Sequence, residues 1–66
     1  MDEDRVFQHA SELVRYMSFI EYRHVRRYLH DALVANEARH LGRELSTEEK
    51  DRAQAILSSA ALIARS

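Results

Sequence analysis

The chain has no cysteine, no proline and a single glycine among its 66 residues. The absence of cysteine excludes disulfides and every metal site that needs a thiolate. With no proline and only Gly42 to interrupt it, the backbone can stay helical over long stretches. A chain this short buries only about 60 % of the surface that its unfolded form exposes. Since disulfides are excluded, we expect additional stability from burial against a second chain or from a metal held by histidine and carboxylate.

Long apolar runs are also missing from the chain. No run approaches the ~20 residues that span a bilayer, and the N-terminus begins Met-Asp-Glu-Asp, unlike a secretion signal. Apolar residues make up 45 % of the chain and charged residues 32 %, a balance typical of folded soluble domains. We therefore expect a cytoplasmic protein with no membrane partner.

Charge is unevenly distributed, although the formal net charge is only −1. Residues 15–43 hold six arginines against three acidic residues, whereas the rest of the chain holds four basic and eight acidic residues. A net charge near zero favours no polyanionic partner. Only the central segment therefore offers a basic surface.

The clearest break in the chain is the segment LGRELSTEE at residues 41–49. Gly42 can adopt the left-handed conformation that ends a helix. Ser46 and Glu49 form the Ser-x-x-Glu pattern of a capping box, which starts a new helix. These signals predict a turn over residues 42–46 and a helix over residues 47–64. Apolar residues of this last helix recur at spacings of three and four, as expected for a helix that packs on one side.

The first 41 residues admit two interpretations. An apolar seam with spacings of four and three comprises Val6, Ala10, Leu13, Met17 and Ile20. The seam fails at His24, and a second seam starts at Val25. Because neither glycine nor proline lies nearby, we predict one continuous helix over residues 3–41 whose apolar face rotates along its length. The alternative is a break at Ser18, which forms a second capping-box pattern with Glu21.

The two interpretations predict different all-α assemblies of one small domain over residues 1–66. The continuous helix gives a helical hairpin whose short helix covers only about half of the long one. We expect this hairpin to dimerise into a four-helix bundle, because an exposed apolar stripe usually marks an interface. The break at Ser18 instead gives a three-helix bundle that can close as a monomer. The predicted core and dimer-packing residues are Val6, Leu13, Met17, Ile20, Val25, Leu29, Ile56, Ala60 and Ile63.

Two Glu-x-x-His patterns, Glu21 with His24 and Glu37 with His40, are the candidate metal ligands. The spacing of three residues places both side chains of a pair on one helix face, as in di-iron carboxylate bundles. The two patterns lie 16 residues apart, which on one helix means about 160° of rotation and roughly 24 Å of rise. We therefore interpret them as helix surface and expect no metal or other cofactor. A metal-binding helical protein is the third functional hypothesis.

The segment RHVRRYLH combines Arg23, Arg26 and Arg27 with a neighbouring tyrosine on each side, Tyr22 and Tyr28. Basic and aromatic side chains together are typical of surfaces that bind phosphates and stack on bases. The alternative is that the arginines pair with acidic residues of the chain itself. Because the last helix begins with acidic residues that repel DNA phosphates, a helix-turn-helix is not indicated. Nucleic-acid binding through these arginines is therefore the second hypothesis.

Nothing in the chain resembles an activated nucleophile or a phosphate-binding loop, and a chain of this size has little room for a substrate pocket. We therefore expect a non-enzymatic protein. Aromatic residues recur at three-residue spacing on a face away from the main seam, and tyrosine and arginine are enriched at interfaces. We predict a regulator, adaptor or accessory subunit that binds a larger protein of unknown identity. The predicted partner-binding residues are Tyr16, Phe19, Tyr22, Arg23, Arg26 and Arg27.

Overall fold

The computed structural model describes residues 1–65, with the backbone alone at residue 65. Over these residues the chain forms three helices and no strand: α1 (Glu3–Val14), α2 (Phe19–Leu41) and α3 (Thr47–Arg65). Each helix packs against the other two. Glu3 contacts Arg52 near the starts of α1 and α3, and Arg15 and Ile63 line one recess near their ends, so α1 is parallel to α3. Tyr22 contacts Ser58 and His30 contacts Lys50, so α2 is antiparallel to α3. The fold is an up-down-up three-helix bundle.

The break between α1 and α2 corrects the predicted continuous helix over residues 3–41. The backbone N–H of Met17 donates to the carbonyl of Val14 at 3.1 Å, which closes the end of α1. Ser18 then caps α2: its hydroxyl accepts from the backbone N–H of Glu21 at 3.1 Å, and its own N–H donates to the Glu21 carboxylate at 2.8 Å. A capping box supplies partners to amides that a helix start otherwise leaves open. The chain can therefore turn here without glycine or proline, as in the alternative interpretation.

The turn between α2 and α3 agrees with the sequence prediction. Gly42 has φ = 72°, the left-handed conformation that a side chain disfavours, and its N–H donates to the carbonyl of Ala38 at 2.9 Å. At the start of α3, the Ser46 hydroxyl accepts from the N–H of Glu49 at 3.2 Å, and the Ser46 N–H donates to the Glu49 carboxylate at 2.9 Å. The left-handed glycine and the capping box that the sequence predicts are therefore both present at this turn.

The core lies between the three helices and includes residues from each of them. Its buried side chains are Val6, Ala10, Val14, Tyr22, Leu29, Leu33, Ala53, Ile56, Leu57, Ala60 and Ala61. Four of the predicted packing residues belong to this set: Val6, Leu29, Ile56 and Ala60. Leu13 and Met17, also predicted, are partly buried against it.

Three of the predicted core and dimer-packing residues are exposed in the monomer. Ile20 is 68 % exposed, Val25 36 % and Ile63 62 %. Ile20 was assigned from a seam that continued through Ser18, and Val25 as the start of a second seam on the same continuous helix, but α2 begins at Phe19 with its own rotational phase. Its buried positions are Tyr22, Leu29, Leu33 and Glu37, so Ile20 points away from the core and Val25 lies at the margin of the core.

A buried ion pair joins α1 to α2. The Glu37 side chain is only 3 % exposed and accepts two hydrogen bonds from Arg5, from Nε at 3.3 Å and from Nη2 at 2.8 Å. The Arg5 side chain is 33 % exposed, so one partner reaches solvent while the other does not. This bidentate geometry is the strongest arrangement available to an arginine and a carboxylate.

The start of α3 makes stability depend on pH. Hydrogen bonds from the Arg43 guanidinium and from the backbone of Ser46 hold the pKa of Glu49 well below its ordinary value of 4.5. A lowered pKa stabilises the fold above the unfolded-state value, and this stabilisation is lost as the pH falls through the folded-state value. We expect Glu49→Gln to lower the melting temperature at neutral pH and to reduce its further fall on acidification to about pH 3.

Thermal melts followed by circular dichroism check this prediction. Glu48→Gln is the control, because the Glu48 carboxylate makes no hydrogen bond or ion pair with the described residues. An acid profile of Glu49→Gln that matches the wild type would contradict the assignment to Glu49.

Candidate interaction surface on α2

The side of α2 that faces away from the core carries a mixed basic and apolar surface. At 100° per residue, six exposed side chains fall within about 140° of the helix circumference, opposite the buried Tyr22 and Leu33. We call these residues the α2 outer face: Ile20, Arg23, His24, Arg27, Tyr28 and Asp31. Ile20 and Tyr28 are 68 % and 74 % exposed, so the face offers apolar area as well as charge.

The arginines of this region are not paired within the chain. Arg23, Arg26 and Arg27 make no hydrogen bond or ion pair with any residue that the structure describes. Three other arginines are paired: Arg5, Arg43 and Arg52 each lie 2.8 Å from a carboxylate oxygen. The alternative interpretation, in which these arginines pair with acidic residues of the chain itself, therefore does not hold among the described residues.

The neighbouring acids have other partners. The Glu21 carboxylate accepts from the backbone of Ser18, and this hydrogen bond, followed by that of the Ser18 side chain, lowers its pKa. Asp31 lies 3.5 Å from Nδ1 of His30, whose Nε2 is 3.0 Å from the carbonyl of Lys50. The guanidinium groups of Arg23 and Arg27 are thus left facing solvent.

Open recesses border these arginines. One of about 270 Å³ lies beside Ile20, Arg23 and His24. Another of about 370 Å³ lies between Arg26 and Arg27 on α2 and Gln54 on α3, and His30 and Asp31 also line it. A planar guanidinium with five N–H donors can bind a carboxylate or a phosphate through two parallel hydrogen bonds. The surface is therefore suited to anionic groups presented next to an apolar side chain.

The predicted aromatic contact face is not present as one surface. Tyr22 is only 5 % exposed, and its hydroxyl lies 3.4 Å from that of Ser58. Its ring packs against Phe19, which is partly buried, with 5.8 Å between ring centroids. Tyr16 is 90 % exposed, in the turn before Ser18, with the Arg15 guanidinium 5.7 Å from its ring centroid. Tyr22 therefore lies in the core of the monomer and not on a shared face with Tyr16, because the three-residue spacing assumed one helix through Ser18.

The structure does not bring the two Glu-x-x-His patterns together. Glu21 belongs to the α2 cap, and Glu37 is buried against Arg5. His24 and His40 are both exposed. Within residues 1–65, no group of three or more histidine or acidic side chains is placed to hold a metal ion.

Sequence reasoning assigned Ile20 to core or dimer packing and did not place it beside Arg23 and Arg27. The capping-box pattern at Ser18 was the signal that could have placed it correctly, because a helix starting at residue 19 with Tyr22 inward turns Ile20 outward.

Comparisons with protein-family models, with curated proteins and with solved structures give no match for this chain. In the described part of the chain, no helix is both long and apolar enough to cross a membrane.

Proposed function

We propose that the protein is a small non-enzymatic cytoplasmic regulator, adaptor or accessory subunit that binds an acidic, amphipathic segment of a larger protein through the α2 outer face. The observation that supports this proposal is the unpaired state of Arg23 and Arg27 beside the exposed side chains of Ile20 and Tyr28. A chain that pairs Arg5, Arg43 and Arg52 with carboxylates leaves these two available to a partner.

The spacing of Arg23 and Arg27 on α2 indicates which arrangement of acidic groups a partner would present. Arg23 and Arg27 are one helical turn apart, which places their Cβ atoms about 5–6 Å from each other. A partner helix with two carboxylates one turn apart can therefore meet both guanidinium groups, and charge-assisted bidentate pairs are stronger than neutral hydrogen bonds. An apolar side chain beside those carboxylates would cover Ile20 and Tyr28 and exclude water from the ion pairs, as at interface hot spots.

Nucleic-acid binding is the second candidate, favoured by the same unpaired arginines and by the exposed ring of Tyr28. Phosphates can occupy the guanidinium groups, and an unpaired base can stack on the tyrosine. Few cationic groups converge on this face, and Asp31 lies among them. Because affinity for nucleic acid grows with the number of phosphates neutralised, we rank this candidate below an acidic protein segment.

Charge-neutral variants test the proposal. Arg23→Gln/Arg27→Gln removes two positive charges from the α2 outer face, and Arg39→Gln/Lys50→Gln removes two from elsewhere, so both change the net charge equally. Immobilised wild type and both variants are incubated with nuclease-treated cell extract, and retained proteins are identified by mass spectrometry. We expect a retained protein that is lost with the first variant and kept with the second. With that protein purified, the first variant should weaken affinity roughly tenfold or more.

Two outcomes would contradict the proposal. If both double variants lose the same proteins equally, retention reflects overall charge rather than this surface. If proteins are retained only from a parallel sample of untreated extract, and labelled RNA or DNA binds the wild type with a steep salt dependence, the second candidate is correct.

A further inference from the structure

A groove between α1 and α3 runs along the side of the bundle opposite α2. It opens as a recess of about 240 Å³ on one side of Phe7 and another of about 420 Å³ on the other. We call it the α1–α3 groove, and its residues used below are Asp4, Phe7, Ser11, Arg15 and Ile63. Phe7 and Ile63 are 37 % and 62 % exposed, so the groove contains apolar surface that the monomer does not bury.

The groove carries opposite charges toward its two ends. Asp4 lies at one end and Arg15 at the other, and neither side chain makes an ion pair with the described residues. Glu12 also borders the Arg15 end, and the two side chains are not paired there. Glu3 and Arg52 line the Asp4 end and are paired with each other at 2.8 Å, so Asp4 is the unpaired charge at that end. The two exposed apolar residues also lie toward opposite ends of the groove. Phe7 is one helical turn from Asp4, and Ile63 lines the recess at Arg15.

We infer that this groove binds a second copy of the chain in a two-fold symmetric dimer with the two α1 helices antiparallel. Asp4 and Arg15 are eleven residues apart on one stripe of α1, which corresponds to about 16 Å. A two-fold axis through the middle of that stripe places Asp4 of each copy opposite Arg15 of the other. The same rotation places Ile63 of each copy opposite Phe7 of the other.

This pairing meets the requirement of an isologous interface, in which one patch is complementary to itself. The dimer would contain two Asp4–Arg15 ion pairs and two contacts between Phe7 and Ile63. Ser11, a small residue near the centre of the stripe, allows the two helices to approach each other closely. Burial of the groove in the dimer would add the stability that a 66-residue chain without disulfides otherwise lacks. The dimer does not depend on the proposed function, since it leaves both α2 outer faces uncovered.

Light scattering on a sizing column tests the dimer directly, over loading concentrations from about 10 μM to about 1 mM. We expect a wild-type mass of twice 7.7 kDa. Arg15→Asp and Asp4→Arg should each weaken dimerisation by roughly tenfold or more, because each creates two like-charge contacts. Asp4→Arg/Arg15→Asp exchanges the two charges and should restore the dimer.

A second pair of variants examines the apolar contact without changing α1. Ile63→Asp should dissociate the dimer, whereas Ile20→Asp should not, because Ile20 lies on the α2 outer face, does not line the groove, and is similarly exposed at 68 %. Circular dichroism of each variant verifies that the helices are retained. A wild-type monomer at every concentration would overturn the inference and leave the groove to another ligand or to none. A dimer that persists in both Arg15→Asp and Ile63→Asp would overturn it in favour of a different face.

Discussion

Replacing Arg5 with methionine is expected to lower the free energy of unfolding by about 3 kcal/mol, because it leaves a buried carboxylate without its cation. Glu37 is 3 % exposed at its side chain and cannot reach solvent from its position between α1 and α2. Removing the carboxylate instead should cost less, since Arg5 is 33 % exposed and also lies 3.6 Å from Asp2. Replacing Arg5 and replacing Glu37 should therefore lower the free energy of unfolding by unequal amounts.

Urea unfolding followed by circular dichroism measures both effects in a double-mutant cycle. The variants are Arg5→Met, Glu37→Leu and the two combined. We expect the combined variant to recover most of the loss seen in Arg5→Met, because apolar side chains can replace a buried ion pair at little net cost. Equal destabilisation by the two single variants would show that Glu37 is not held away from solvent.

Leu57→Ala is expected to destabilise the bundle by about 2–5 kcal/mol through lost burial and the cavity that remains. Leu57 is completely buried, at 0 % exposure, among residues from all three helices. A single core in a domain of this size rarely supplies more than about 3–5 kcal/mol of net stability. The variant should therefore be largely unfolded at room temperature, or folded only at high protein concentration if dimerisation stabilises it.

Ile20→Ala is the matched control for this truncation, and its effect should stay within about 0.5 kcal/mol because the side chain lies at the surface. Thermal and urea unfolding of the two variants give the comparison. A large loss of stability in Ile20→Ala, or a small one in Leu57→Ala, would contradict the rotational phase assigned to α2 and α3.

Part of the candidate site could be predicted from the sequence. The basic and aromatic composition of residues 22–28 identified Arg23, Arg26 and Arg27 as residues of interest, because that composition alone is typical of anion-binding surfaces. Whether they are available to a partner was not predictable. Glu21 and Asp31 lie within pairing distance along the chain, and only the observed cap at Ser18 and the contact with His30 show that these acids have other partners.

By itself the sequence determined the helical class and the α2–α3 turn, since these depend on neighbours a few residues apart: Gly42 for the left-handed end and Ser46 with Glu49 for the cap. Tertiary structure decided between a continuous first helix and a break at Ser18. Both were locally possible, and the break exchanges a few helical hydrogen bonds for burial of α1 against α3. That exchange also set which side of α2 faces inward. It buried Tyr22, exposed Ile20 and so created the surface on which the proposed function rests.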